Sequence, residues 1–425
     1  MNYKQCLKEM YALRRFGIKL GLSTIQHILA ELDNPHKKFK SIHIAGTNGK
    51  GSVAIMLANM LRLSGFRVGL YTSPHLIHFN ERIVIDGTPI SDDQVVNLYQ
   101  TVKKVQKPDR ELTFFEYTTA MAFHEFAEQK VDFAIIETGM GGRLDATNVI
   151  DPLVTIITTI GLDHQLYLGK KISEIAFEKA GIIKQCCPLI TDVSKPKALE
   201  VILDCAQKKY APVYQLGKQM RFRHAKDEFI YSGLKYHWRQ LKCALNGQHQ
   251  IRNASLAICA YELVVDKQAS WNAVHEGLKT VQWPGRLEII SQKPLIVIDG
   301  AHNFMAIKAL VKYLDKTLDG RPLTLILAVL DDKPYQKMLK NLLCIAKNVI
   351  ITQPKIERSL DPKILSDYVS SYVKNVQIIP KVVDAYNQTV KNAKPSEAIC
   401  ITGSLYLVGE VKAALSEKTD EIFLA

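Results

Sequence analysis

The sequence has no apolar run approaching the roughly 20 residues that a membrane-spanning helix needs. Its first residues lack the apolar stretch and small-residue cleavage site of a secretory signal, so we expect none. There is no C-x-x-C motif, and no pair of cysteines has zinc-ligand spacing. We therefore expect reduced thiols in a cytoplasmic protein with no membrane partner.

A dense basic block with interleaved aromatic residues is also missing. Lysine and arginine total 55 against 42 acidic residues, which gives a net charge of +13. A nucleic-acid-binding function would explain the positive net charge. Because the basic residues are spread along the chain, the charge instead favours solubility or attraction of small anionic substrates. We expect no nucleic-acid partner.

A chain of 425 residues is too long for one ordinary core and predicts two or three domains. From Ser41 onward, strand and helix patterns alternate, which is typical of a mostly parallel sheet with helices on both faces. Residues 211–245 interrupt the alternation with predicted short antiparallel strands, the first at 213–214. Pro284-Gly285 then marks a boundary, after which the alternation restarts. The sequence thus predicts a P-loop-containing α/β domain over 1–285 and a smaller Rossmann-like α/β domain over 286–425.

The strongest local signal is the segment GTNGKGS at residues 46–52, between a short apolar run and a helical pattern. Glycines at a helix N-terminus let successive N–H groups face an anion. Lys50 would add a charge for phosphates, and Ser52 could bind Mg²⁺ or cap the helix. The spacing differs from the standard phosphate loop, because position 44 is Ile44 and Gly51 separates Lys50 from Ser52. We predict a phosphate-binding loop.

Polar residues also follow the next predicted strands, namely Ser73, Glu137 and His164. In a parallel sheet, ligands gather at the carboxyl ends of the strands, so these side chains should converge beside the phosphate loop. Each alone could be a cap, an ion-pair partner or a core residue. Together they offer oxygen and nitrogen ligands, and we predict that they bind Mg²⁺.

A second glycine-rich segment, ETGMGGRLDATN at 137–148, is expected to fold closely around a polar ligand. In the second domain, Asp299, His302 and Ser404 follow predicted strands in the same way. If the two domains face each other, these residues oppose the phosphate loop across a cleft. Arg286, at the predicted hinge, could then reach the nucleotide phosphates.

The segments HIAGTNGKGS, LYTSPHLIHFNERI, ETGMGGRLDATN, GLDHQLYLG, EKAGIIK, PGR, DGAHN and ITGSLYLVGE occur in this order over about residues 41 to 410. In these motifs the chain resembles the folylpolyglutamate synthase/dihydrofolate synthase family of the Mur ligase superfamily. The resemblance implies a central domain of the Mur ligase type. It also implies ATP-dependent joining of L-glutamate to dihydropteroate and to reduced folates through an acyl phosphate.

The resemblance also implies roles for individual residues. The ATP-binding residues would be Asn48, Gly49, Lys50, Gly51, Ser52, Asn253, Arg286 and Asp299. Two Mg²⁺ ions are implied, with Ser73, Glu137, His164 and a carbamylated Lys179 as ligands. The pterin would meet Leu20, Gly21, Leu22, Thr113, Phe114, Phe115, Glu116, Leu144, Asp145 and Ala146. His302 and Ser404 would bind glutamate, and the catalytic residues would be Lys50, Lys179, His302 and Asp299.

Several alternatives remain open at this stage. The form DATN at 145–148 looks like the bacterial bifunctional type and favours both activities, although some members of the family only extend folates with further glutamates. A Mur-type ligase acting on a peptidoglycan precursor shares the expected fold. A P-loop kinase or NTPase and a basic nucleic-acid-binding protein are the alternatives from other classes. The family resemblance favours a monomer.

Overall fold

The structure is a computed structural model that describes residues 1–13, 21–106, 111–266 and 269–416. The chain divides into two compact units. The first comprises Met1–His75, Phe79–Ala244 and Gln250–Gln282, and the second comprises Leu76–His78, Leu245–His249 and Trp283–Ala425. Across the described ranges, no helix is long and apolar enough to cross a membrane. Leu20, a predicted pterin contact, lies outside the described residues.

The first unit is built on an eight-stranded sheet. Its strands are β1 Lys40–Ala45, β2 Val68–Tyr71, β3 Ile83–Ile85, β4 Thr88–Pro89, β5 Phe133–Glu137, β6 Val154–Ile157, β7 Leu189–Thr191 and β8 Val213–Gln215. They lie in the order β4-β3-β2-β5-β1-β6-β7-β8. The pairs β2–β3 and β3–β4 are antiparallel, and the remaining pairs are parallel. The carboxyl ends of β1, β2, β5, β6 and β7 therefore share one edge.

Helices supply the rest of this unit's core. They are α1 Tyr3–Ala12, α2 Ser23–Glu31, α3 Lys50–Leu63, α4 Asp92–Val105, α5 Phe114–Glu128, α6 Gln165–Leu168, α7 Ile172–Ala180, α8 Pro196–Lys208, α9 Gln248–Val265 and α10 Trp271–Lys279. One buried cluster joins α1, α2, α4 and α5 to β2 and β5, and another joins α7 and α8 to β6 and β7. The predicted P-loop α/β class is confirmed.

The antiparallel arrangement predicted for 213–214 is wrong. These residues belong to β8, which pairs parallel with β7 at the edge of the large sheet. The physical reason is α8, which carries the chain back across the sheet so that the next strand runs in the same direction. The other predicted short strands do form an antiparallel sheet of β9 Arg221–Ala225, β10 Glu228–Ser232 and β11 His237–Leu241.

The second unit contains a six-stranded sheet in the order β12-β13-β17-β14-β15-β16. The strands are β12 Glu288–Gln292, β13 Leu295–Ile298, β14 Leu323–Leu327, β15 Asn348–Ile351, β16 Asn375–Ile378 and β17 Ala398–Thr402. Only the pair β12–β13 is antiparallel among these described strands. The helices are α11 Phe304–Thr317, α12 Tyr335–Leu343, α13 Pro362–Val369, α14 Val382–Asn392 and α15 Leu405–Leu415. The second predicted α/β domain is thus present.

His43 makes this fold sensitive to acid. The ring is buried within β1, its Nε2 is 2.8 Å from Thr147 Oγ1, and its Nδ1 has no partner within the described residues. Burial, with a contribution from Lys184, lowers the pKa of His43 to about 3. Since the unfolded chain takes up this proton near pH 6.5 and the folded chain does not, stability falls as the pH drops below that value.

We expect the wild-type protein to lose about 2 kcal/mol of unfolding free energy through this group between about pH 7.5 and about pH 5. The variant His43→Gln should lose less over that interval, because it has no imidazole to titrate. Urea unfolding at both pH values measures the difference. Replacement of the exposed His224 by glutamine is the control, and this variant should lose as much unfolding free energy between the two pH values as the wild type. An equal loss of unfolding free energy in His43→Gln and wild type would contradict the prediction.

Candidate active site

The predicted phosphate loop connects β1 to α3 and is bonded to the end of β6. Thr47 N donates to Thr159 O at 2.7 Å, and Thr158 Oγ1 donates to Asn48 O at 2.7 Å. Thr159 Oγ1 also donates to Asn48 O, at 3.2 Å. These bonds fix the loop before any ligand binds, which lowers the entropy that binding must remove.

Two glycines are required by close approaches in this loop. Gly46 has a φ of 153°, and a Cβ there would lie 1.8 Å from Thr158 Oγ1. Gly49 has a φ of 91° and immediately precedes α3. A Cβ on Gly49 would lie 2.5 Å from Asn253 Oδ1, so α9 reaches the loop directly. The predicted contact of Asn253 with the nucleotide stays a prediction.

Lys50, Glu137 and Ser73 meet at the carboxyl edge of the sheet. Lys50 Nζ is 3.7 Å from Glu137 Oε1 and 3.3 Å from Gly46 O. Ser73 N donates to Glu137 Oε2 at 3.2 Å. Glu137 is the last residue of β5 and is buried, and Ser73 follows β2. The arrangement puts a cation and a carboxylate beside a row of loop amides.

Lys179 lies beneath the same loop. It is buried in the last turn of α7, and its Nζ donates to Gly46 O at 2.8 Å. Burial, and to a smaller extent the positive charge of Lys50, lower the pKa of Lys179 to about 7. The neutral amine is therefore well populated near neutral pH, and a neutral amine is the form that reacts with an electrophile.

Two of the four predicted metal ligands are in contact in the structure. Ser73 contacts Glu137, whereas His164 is exposed and precedes α6 with a φ of 49°. Over the part of the chain that the structure describes, no group of three or more His, Cys, Asp or Glu could hold a metal ion. Of the predicted set, only Glu137 and His164 are residues of these types, since the other two members are a serine and a modified lysine. The set stays a prediction.

The aromatic residues of the predicted pterin wall lie at the start of α5. The Phe115 ring packs on Gly139, where a Cβ would come within 2.5 Å of it, and lies 6.0 Å from the Tyr71 ring. Phe114 is buried, and its ring lies 5.6 Å from Tyr11 and beneath the Arg82 guanidinium. Phe114 is therefore mainly a core residue, and Phe115 lines the glycine-rich loop.

Polar members of the predicted pterin set bond within the chain. Thr113 and Glu116 form the capping box of α5, in which Thr113 N and Oγ1 both donate to Glu116 Oε2 at 2.8 Å. Asp145 is buried, and its Oδ1 accepts from Thr147 N at 3.1 Å and Thr147 Oγ1 at 2.6 Å. Its Oδ2 accepts from Met140 N at 2.8 Å. Burial raises the pKa of Asp145, although these hydrogen bonds act to lower it.

The remaining pterin candidates lie at the ends of elements. Gly21 and Leu22 precede α2, Leu144 is half-buried, and Ala146 begins a short 3₁₀ helix over Ala146–Val149. Leu22 packs against the core cluster that also contains Phe114. Their contact with a ligand stays a prediction.

In the second unit, the predicted residues cluster at the ends of the neighbouring strands β13 and β17. Asp299 is buried and accepts from Leu287 N at 2.8 Å and Ala301 N at 3.0 Å. Burial raises its pKa to about 6, and Arg286 opposes that shift. His302 Nδ1 is 2.8 Å from Gly300 O, and Ser404 caps α15 by accepting from Tyr406 N.

Sequence reasoning did not identify Thr158, Thr159 and Gln250 as parts of the site. The two threonines bond the phosphate loop, and Gln250 Oε1 accepts from Asn253 Nδ2 at 2.9 Å. The threonines stand where β6 ends, beside β1, so the strand-end argument used for Glu137 could have found them. Gln250 had no comparable signal.

A glycine-rich loop between a strand and a helix, followed by a second α/β unit with polar strand ends, is the arrangement expected of a Mur-type ligase. Residues 44–261 match the model of the Mur ligase middle domain, and residues 285–405 match that of the Mur ligase glutamate ligase domain. The dihydrofolate synthase/folylpolyglutamate synthase of Bacillus subtilis is 37% identical over 427 residues, covering 97% of this chain and 99% of that protein. The chain belongs to the dihydrofolate synthase/folylpolyglutamate synthase family.

Solved structures give the same result. Escherichia coli FolC in complex with DHPP and ADP superposes with a TM-score of 0.90 at 28% identity, covering 97% of this chain and 98% of that chain. The bifunctional synthase of Yersinia pestis, complexed with AMPPNP and a Mn ion, has a TM-score of 0.89 at 28% identity, with 98% of both chains covered. The predicted family, fold class and enzyme class are confirmed.

Proposed function

We propose that this chain joins L-glutamate to dihydropteroate, giving dihydrofolate, and adds further glutamates to reduced folates. ATP transfers its terminal phosphoryl group to the acceptor carboxylate, which yields an acyl phosphate and ADP. The glutamate amine then attacks the acyl carbon, and phosphate leaves as the amide bond forms. The observation that carries this proposal is the phosphate loop with Lys50 beside Glu137 and Lys179.

The first step brings two anions together, and the residues of the first unit suit that task. The loop amides and Lys50 would offset the charge of the ATP phosphates as the carboxylate approaches. Gly49 and Asn253 would border the nucleotide through the α9 contact. Ser52, buried in the first turn of α3, and Gly51 complete the predicted phosphate-binding set.

The donor chemistry of Ser73 and Glu137 fits a divalent cation, because hard oxygen ligands are those that Mg²⁺ prefers. His164 and a carbamylated Lys179 would complete the ligand set and allow a second ion. A bound Mg²⁺ would supply positive charge to the transferring phosphoryl group. Glu137 and Ser73 would hold the ion at the edge of the sheet, and Lys50 would complement its charge.

In the second unit, His302 and Ser404 would bind glutamate. Asp299 and Arg286 would contact the nucleotide. Asp299 and His302 would also act in catalysis, as the resemblance implies. Excluding water from the reacting groups would protect the acyl phosphate from hydrolysis.

The test is release of ADP by the purified protein with ATP, Mg²⁺ and L-glutamate and one acceptor at a time. Turnover with both dihydropteroate and tetrahydrofolate would establish the two activities. Turnover with tetrahydrofolate alone would leave a folylpolyglutamate synthase and contradict the pterin assignment. Turnover only with a muramyl nucleotide would contradict the folate assignment and retain the ligase.

Asp145 tests the acceptor side separately. Its oxygens fix the glycine-rich loop, so Asp145→Asn should raise the KM for dihydropteroate about tenfold, because an amide cannot accept from both Met140 and Thr147. Affinity for ADP should change less than about twofold. Steady-state kinetics and ADP titration measure the two effects, with exposed Asp204→Asn as the control. Equal losses of both affinities would argue against a role on the acceptor side.

A further inference from the structure

Asp192 and Arg252 form an ion pair to which the proposed reaction gives no role. Asp192 directly follows β7, and its side chain is buried, with 3% of its surface exposed. Arg252 belongs to α9 and is half-exposed. Arg252 Nε donates to Asp192 Oδ2 at 2.7 Å, and its Nη2 donates to Oδ1. The pair is therefore bidentate, which fixes orientation as well as distance.

On the sheet side of the ion pair, two hydrogen bonds through Thr158 connect Asp192 to the phosphate loop. Its backbone N donates to Ile157 O and Thr158 O, both at 3.3 Å. Thr158 in turn donates through its hydroxyl to Asn48 O at 2.7 Å. The end of β6 thus connects the buried carboxylate to the loop.

The other partner of the ion pair, Arg252, immediately precedes Asn253 in α9. Asn253 Nδ2 donates to Gln250 Oε1 at 2.9 Å, and Gln250 is itself buried. That bond leaves Asn253 Oδ1 facing Gly49, 2.5 Å from where a Cβ on Gly49 would lie. Hydrogen bonds therefore link the loop through β6 and β7 to Arg252 of α9, and the close approach of Asn253 to Gly49 brings α9 back to the loop.

We propose that Asp192 and Arg252 are positioning residues that hold the start of α9 against the sheet and thereby keep Asn253 in place at the nucleotide site. This inference rests on the proposed binding of ATP at the phosphate loop. Loss of the pair lets α9 shift relative to β7, and the Asn253 side chain then no longer meets Gly49 in one fixed orientation. The consequence is weaker nucleotide binding with little change in the chemical step.

If the pair only stabilised the fold, nucleotide affinity would be lost and regained together with stability. Because Asp192 is buried, single and double variants should differ in stability and can distinguish the two roles. Removing Arg252 alone leaves a buried carboxylate without its partner, which destabilises the protein. Removing both charges eliminates that penalty, so the double variant should regain stability. If the pair positions Asn253, the double variant should regain stability without regaining nucleotide affinity.

The experiment titrates ADP into wild type, Arg252→Met, Arg252→Lys and the double variant Asp192→Asn/Arg252→Met. Thermal unfolding of each protein is followed in parallel. We expect about a tenfold weaker Kd for Arg252→Met and for the double variant, with the unfolding midpoint restored only in the double variant. Arg252→Lys should lie between, because an ammonium group keeps the charge without the bidentate geometry. Lys208→Met breaks the exposed pair with Asp204 and is the control, with unchanged Kd.

Steady-state kinetics add a second readout. The KM for ATP should rise about tenfold in Arg252→Met, while kcat at saturating ATP changes less than about twofold. Wild-type ADP affinity in Arg252→Met and Arg252→Lys would overturn the inference, as would recovery of both stability and affinity in the double variant. Failure of the wild-type protein to bind ADP would instead overturn the proposed function and this inference with it.

Discussion

Replacing Lys50 with alanine should reduce ADP release by about 100- to 1000-fold while the protein stays folded. Lys50 Nζ lies 3.3 Å from Gly46 O and 3.7 Å from Glu137 Oε1, so it faces the position that ATP phosphates would occupy beside a buried carboxylate. Without this cation, the transferring phosphoryl group would meet Glu137 with less charge compensation. The rate of ADP release with dihydropteroate and L-glutamate measures the effect.

Two matched variants test whether the loss of activity comes from the missing charge of Lys50. Lys50→Arg keeps the charge in a different shape and should retain more activity than Lys50→Ala. Lys208→Ala removes an exposed lysine of α8 and should leave the rate unchanged. Circular dichroism and thermal unfolding check that the fold survives. Wild-type turnover by a folded Lys50→Ala protein would remove the phosphate-loop argument.

Replacing Lys179 with alanine should reduce turnover by about 100-fold or more. With a pKa near 7, the buried amine is partly neutral, and the neutral form can attack carbon dioxide, forming an N–C bond and releasing one proton to leave a carbamate anion. That anion would lie beneath Gly46, where Lys179 Nζ now donates at 2.8 Å. Alanine removes both the carbamate and this bond.

Chemical rescue distinguishes the two losses. Acetate or propionate can occupy the space left by the Lys179 side chain and supply the missing carboxylate, so either should restore part of the Lys179→Ala activity. Neither should restore Lys50→Ala, whose loss is that of a cation. If Lys179→Ala binds ADP normally but no carboxylate restores turnover, the amine acts through its bond to Gly46, and carbamylation is contradicted.

The parts of the fold that could be predicted are those specified by neighbouring residues. The sequence pattern predicts a helix over 172–180 and a strand over 189–191, and α7 and β7 have these bounds, because their apolar patterns and flanking breakers are local. The direction of β8 could not be predicted in that way. Two residues of strand pattern do not say which strand they pair with, and α8 decides the answer by where it delivers the chain.

The same distinction applies to the site. Contact between Ser73 and Glu137 was predictable, because parallel strands end at one edge of their sheet. The Asp192–Arg252 pair was not, since its members are distant in sequence and their residue types suit any exposed ion pair. The glycine-rich loop was recognised, but its use of Asp145 to bond Met140 and Thr147 depends on the folded backbone.

The most direct test of the account follows one oxygen atom. Dihydropteroate is prepared with a heavy oxygen isotope in its carboxylate and incubated with the protein, ATP, Mg²⁺ and L-glutamate, and the released phosphate is analysed by mass spectrometry. Activation as an acyl phosphate predicts that one labelled oxygen enters phosphate for each dihydrofolate formed. Formation of dihydrofolate with unlabelled phosphate would contradict transfer of the phosphoryl group to the carboxylate, and with it the role assigned to the phosphate loop.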